Sequence, residues 1–105
     1  MSMGEKQLIC LARGLLSRSK VIVLDERGKI ITTPDFYNLI TNYENSSVDE
    51  IDFIIGGSDG LSQEVRNKAN FVLSFGKMVF PHLFVRVMLI EQIYRVWTIK
   101  NKHPL

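Results

Sequence analysis

Cysteine is nearly absent from this 105-residue chain. Cys10 stands alone, which excludes an internal disulfide and any site built from several thiolates. A lone thiol fits a reducing, cytoplasmic compartment. Histidine is almost as scarce: His82 and His103 have no cysteine or acidic neighbours at ligand spacing, so no metal site is expected. No apolar run is clean enough for a membrane span, because the greasiest stretch, Phe80–Ile99, is interrupted by Pro81, His82, Arg86, Glu91 and Arg95. No signal peptide is expected either, since Met1–Lys6 is polar and the apolar segment after it is broken by Arg13 and Gly14. Positive charge is missing from Ile30–Leu61, where every formal charge is acidic: Asp35, Glu44, Asp49, Glu50, Asp52 and Asp59. From Ser62 onward seven Lys or Arg stand against Glu64 and Glu91, an asymmetry hidden by a net charge of +2. Such a basic C-terminal part would attract a polyanion; the plainer alternative is a solvated surface with clustered charge.

What is present suits one compact α/β or α+β domain: 46% of residues are hydrophobic and 23% charged. A chain this short buries a modest share of its surface, so oligomerisation would help it. Gly4–Leu16 has helical spacing, with Leu8, Leu11 and Leu15 on one side. Lys20–Asp25 is a continuous apolar, β-branched run, as expected of a strand buried on both faces. Glu26-Arg27-Gly28-Lys29 reads as a turn with Gly28 at positive φ, and Asp25 and Glu26 as part of that solvated turn. Thr33 is expected to cap a helix that carries Phe36, Leu39, Ile40 and Tyr43 on its apolar side. Ile51–Ile55 is a second buried strand, Ser62 caps a helix over Gln63–Ala69, and Phe71–Ser74 is a third strand before a turn at Gly76-Lys77. Pro81 opens a long last helix reaching Lys100. Strands alternating with helices argue for a parallel sheet with helices on its faces.

Gly56-Gly57 follows the second strand at once, where parallel sheets bind ligands, and glycine lets a ligand approach backbone amides closely. The run IGGSDG is neither a dinucleotide fingerprint nor a P-loop, and a tight strand-to-helix turn explains it equally well. Leu24 and Phe75–Phe80 converge with it in a parallel sheet. Leu24, Phe75, Met78 and Phe80 over glycine amides would suit a flat adenine ring, although Met78 and Phe80 taken singly are better read as core residues. The last helix is apolar nearly all round, and one sheet face cannot cover it, so a self-paired dimer through Pro81–Lys100 is the economical explanation. Arg86 and Arg95 on that helix need partners if buried; they read as dimer salt-bridge residues or as phosphate binders. No Ser-His-Asp or Cys-His arrangement can be drawn, and Cys10 reads as a buried apolar residue.

Four segments, VIVLDERGK (Val21–Lys29), FIIGGSDGLS (Phe53–Ser62), LSFGKMVFPHLFVRV (Leu73–Val87) and IEQIYRVWTIKNKHP (Ile90–Pro104), together resemble the RlmH-type (YbeA-like) ribosomal RNA methyltransferases of the SPOUT superfamily. The resemblance implies a single α/β SPOUT domain over residues 1–105, with a parallel sheet, a deep C-terminal trefoil knot, and homodimers. It implies S-adenosyl-L-methionine as cofactor, with contacts that fall on Leu24, Gly56, Gly57, Phe75, Gly76, Lys77, Met78, Val79 and Phe80. The methyl group would go to N3 of a pseudouridine in large-subunit rRNA of the 70S ribosome, with Arg86, Arg95 and His103 serving the RNA or the dimer. No catalytic residue is assigned by it. The family pattern has further strands before the first segment and continues beyond His103-Pro104, so the chain is expected to be a shortened form, lacking N-terminal strands and the C-terminal tail. The alternative function is an inactive remnant that binds cofactor or dimerises without turnover.

Overall fold

The computed structural model describes residues 19–56 and 62–102, and within them the first strand lies at the centre of a three-stranded parallel sheet of order β2-β1-β3. β1 spans Ser19–Ile30, β2 Glu50–Ile55 and β3 Phe71–Ser74. Three helices lie among the described residues: α1 (Thr33–Asn45), α2 (Gln63–Lys68) and α3 (His82–Lys100). The helix expected over Gly4–Leu16, with Cys10, lies outside the described residues.

The continuous apolar run of β1 is explained by cover on both faces. Successive strand residues point to opposite sides. Ile22 and Leu24 therefore enter one core cluster with Phe36, Ile40, Leu73, Leu89 and Val96, beneath α1 and α3. Val21 and Val23 enter a second with Ile54 and with Val65 of α2. The register sets Ser19 opposite Glu50 and Leu24 opposite Ile55 on one side, and Ile22 opposite Phe71 and Leu24 opposite Leu73 on the other. Asn70, just before β3, extends this pairing: its side chain accepts from the Val21 amide at 2.7 Å and its own amide donates to the Val21 carbonyl at 2.9 Å.

Two local expectations need correction. Thr32, not Thr33, caps α1. The Asp35 amide donates to Thr32 Oγ1 (3.2 Å) and the Thr32 amide to Asp35 Oδ2 (3.3 Å), a reciprocal box that requires an acid three residues after the cap. Asp35 stands at that spacing from Thr32 only. Thr33 instead donates to Gln92 Oε1 at 2.8 Å and ties α1 to α3. Thr32→Ala is accordingly expected to cost about 1 kcal/mol of unfolding free energy, readable as a lower urea midpoint, while Thr33→Ala leaves the cap intact.

The second correction concerns Glu26–Lys29, which is not a free turn. β1 continues to Ile30, and Leu24 and Lys29 both register with Leu73, so residues between them form an excursion that returns to the same place on β3. Gly76 is the one described glycine at positive φ. Gly28 is needed for space: a Cβ there would lie 2.6 Å from the Val72 carbonyl oxygen.

Candidate cofactor site at the strand ends

The register places the C-terminal ends of all three strands side by side. Leu24 is flanked by Ile55 and Leu73, Gly56 follows Ile55, and Phe75–Phe80 follows Ser74. The segments singled out in the sequence thus share one edge of the sheet, the edge at which parallel α/β sheets bind ligands. Gly57 and His103 lie outside the described residues, as do residues 58–61.

Leu24 is buried within the core cluster, so it forms a wall from inside the fold. Phe75 is partly buried against that cluster. Ser74 organises the turn that follows: the Gly76 amide donates to Ser74 Oγ at 3.0 Å, and the hydroxyl lies 2.7 Å from the Gly76 carbonyl and 3.3 Å from the Glu26 carbonyl as acceptors. Gly76 sits at φ +152°, a conformation that favours glycine, so the expected turn is present. Met78 and Val79 are 76% and 81% exposed, and Phe80 is also exposed, which overturns the reading of Met78 and Phe80 as core residues. Pro81, as the N-cap of α3, starts the helix immediately after them and leaves this short segment projecting. Lys77 is exposed beside it. Exposed apolar side chains thus stand beside the Gly76 turn at the strand ends, the residue types against which an adenine ring packs.

A cleft of about 160 Å³ opens near the end of β3, lined by residues 30–33, Phe36, Leu73, Ser74, Phe75 and Gln92. It shares only Phe75 with the expected pocket, and Met78 and Phe80 do not line it. Its walls come from the β1–α1 connection and α3, whereas the expected pocket looks toward Leu24 and Gly56.

Asp25 is the residue that the sequence reading undervalued. It is not in a solvated turn: its side chain is 3% exposed. Its Oδ1 accepts from the Arg27 amide and from Arg27 Nε, both at 2.9 Å, and Oδ2 accepts from Arg27 Nη2 at 3.3 Å. Arg66 Nη1 of α2 approaches Oδ2 to 3.9 Å. Hydrogen bonding to this carboxylate raises the Arg27 guanidinium further above its ordinary pKa. The signal available in the sequence was an acid at the last position of a strand buried on both faces, with an arginine two residues on.

Arg86 and Arg95 are not buried. Arg86 is exposed and has no ion pair among the described residues; Arg95 pairs with Glu91 one turn earlier on α3. Leu83, Phe84, Val87, Ile90, Tyr94 and Trp97 are exposed along the same helix, with Tyr94 and Trp97 stacked at 6.1 Å. Among the described residues no group of three or more His, Cys, Asp or Glu could hold a metal ion, and no helix is long and apolar enough to cross a membrane.

Comparison with known proteins agrees with this architecture. The family model "Predicted SPOUT methyltransferase" matches residues 2–105. The chain is 43% identical over 94 residues to the "Ribosomal RNA large subunit methyltransferase H" of Ruegeria sp. (strain TM1040), covering 90% of this chain and 60% of that protein. It is 46% identical over 100 residues to the protein of the same name from Clostridium botulinum strain Hall, covering 95% and 63%. A third, from Paracoccus denitrificans, is 44% identical over 94 residues, covering 90% and 60%. The chain spans about three-fifths of the length of these relatives, aligned over nearly all of its own. With a family match from residue 2 to residue 105 and a parallel α/β sheet, the chain belongs to the SPOUT methyltransferase family.

Proposed function

We propose that residues 1–105 form one SPOUT domain, with the family's knotted path, that binds S-adenosyl-L-methionine and methylates N3 of a pseudouridine in large-subunit rRNA of the cytoplasmic ribosome. The observation that supports this most directly is the register at Leu24, which brings Gly56 and Phe75–Phe80 to one edge of the sheet. In this reading Leu24 and Phe75 wall the adenine. The backbone at Gly56, Gly57 and Gly76 receives its polar edge, and Lys77, Met78, Val79 and Phe80 close over it. When bound, the cofactor supplies an electrophilic methyl group. The residues of this chain would hold and orient it for attack by N3, with the sulfur–methyl bond breaking as the nitrogen–methyl bond forms and the N3 proton passing to water, so alignment contributes most of the rate. The apolar face of α3 pairs with a second copy, with Arg86 and Arg95 at the rim of that interface or on the RNA, and His103 serves one or the other.

Titration calorimetry with S-adenosyl-L-methionine is expected to give saturable heat; none at near-millimolar ligand would sink the cofactor assignment. Transfer of labelled methyl to ribosomes from a strain lacking this modification is expected to give a product in rRNA. Saturable cofactor heat without product would instead identify a module that binds and dimerises without turnover.

A further inference from the structure

The buried Asp25 carboxylate and its two arginines stand outside the residues assigned to the cofactor site. Asp25 and Arg27 lie on the excursion of β1, which is held in place at several points, and Arg66 reaches the carboxylate from α2. Ser74 Oγ reaches the Glu26 carbonyl, the Arg27 amide is bound by Asp25, and Gly28 is packed against the Val72 backbone. Arg27 therefore projects from an ordered support. Its Nε and Nη2 are engaged by Asp25, which leaves three guanidinium hydrogens with no protein acceptor among the described residues, on a side chain 53% exposed. Arg66 approaches the same carboxylate from α2 and is largely buried, so the exposed cation beside Asp25 is Arg27. Lys29 further along β1 and Lys77 after the Ser74–Gly76 turn are also exposed; Glu26 is the one exposed carboxylate on the excursion.

From this geometry we infer that Arg27, oriented by Asp25, is a contact for a backbone phosphate of the RNA substrate; the inference rests on the proposed methyltransferase reading. A guanidinium whose fork is already pinned loses little conformational entropy on binding, and its remaining donors match phosphate oxygens. A contact of this kind sets the register of the RNA over the cofactor site without reading bases. Asp25 is a positioning residue that acts through Arg27.

The test is binding of a large-subunit rRNA stem-loop transcript to the full 105-residue chain, by fluorescence anisotropy over a series of salt concentrations. Arg27→Gln is expected to weaken binding about fivefold to tenfold and to reduce the slope of log affinity against log salt by about 0.7–0.9, the loss of one phosphate contact. Arg27→Lys is expected to restore the slope but only part of the affinity, because the charge returns without the fork. Asp25→Asn is expected to weaken RNA binding in the wild-type background and to add nothing in Arg27→Gln; a merely structural Asp25 would give additive losses and overturn the positioning role. Calorimetry with S-adenosyl-L-methionine is run on Arg27→Gln, which keeps the test valid if Asp25→Asn unfolds. Unchanged cofactor affinity supports the inference, whereas an equal loss of cofactor affinity would mean that Arg27 binds the cofactor carboxylate and would overturn it. Wild-type RNA affinity and slope in Arg27→Gln would overturn the inference alone. Failure of the unmodified chain to bind both cofactor and RNA would overturn the methyltransferase reading along with it.

Discussion

Gly28→Ala is expected to lower the free energy of unfolding by about 2–3 kcal/mol, the upper part of the range for forcing an extra methyl into a packed site. The added Cβ would meet the Val72 carbonyl oxygen at 2.6 Å, its carbon at 2.7 Å and Val72 Cγ1 at 2.8 Å. A side chain could rotate away, but two of these atoms are backbone in β3, and Val72 is registered against Val23. Relief therefore requires the β1 excursion or β3 itself to move. The loss is a large fraction of the roughly 5–15 kcal/mol that holds a small domain together. Because Ser74 and Gly76 lie within a few residues of Val72, the same displacement is expected to weaken cofactor binding in calorimetry. Gly76→Ala is different in kind: its Cβ would make only ordinary contact with the Phe80 ring at 3.6 Å, and the penalty comes from φ +152°. Coincident urea midpoints for Gly28→Ala and the unmodified chain would show that the excursion is free to move.

The proposed pairing of α3 predicts the other large effect. Ile90→Glu is expected to weaken self-association at least about a hundredfold, since a carboxylate would be buried in the interface without a partner. Leu89 and Val96 turn into the core, whereas Phe84, Val87 and Ile90 are 62–65% exposed on the same helix. Covering those side chains would contribute about 25 cal/mol per Å² of apolar area removed from water. Ile90 is already exposed in the single chain, so its replacement is expected to change the stability of the monomer by no more than about 0.5 kcal/mol. Sedimentation equilibrium over a range of concentrations separates these effects. An unmodified chain that stays monomeric at high micromolar concentration would remove the basis for the dimer.

Elements that depend on neighbours in sequence were legible from sequence. The run Val21–Leu24 within Lys20–Asp25 reports cover on both faces, because a strand with two cores can use four consecutive apolar residues without a polar alternation. Phe36 and Ile40 lie one turn apart and both are buried, and Phe71–Ser74 and the helix from Pro81 to Lys100 lie where their patterns place them. The cap at Thr32 was also readable, through Asp35 three residues later, had the acid rather than the proline been taken as the marker.

For the four-segment resemblance, sequence alone was enough, because ordered motifs at family spacing are a property of the chain and not of its packing; the match over residues 2–105 agrees with it. Only the tertiary structure decided the surroundings of Asp25, the reason for Gly28 and the exposure of Met78 and Val79. Each of these depends on a contact, or the lack of one, with a part of the chain remote in sequence. Asp25 meets Arg66 of α2, Gly28 meets Val72 of β3, and the segment after Gly76 departs from the sheet instead of returning to it. Local pattern specifies which face of an element is apolar, but what comes to lie against that face, or within 3 Å of a backbone carbon, is settled by register and topology.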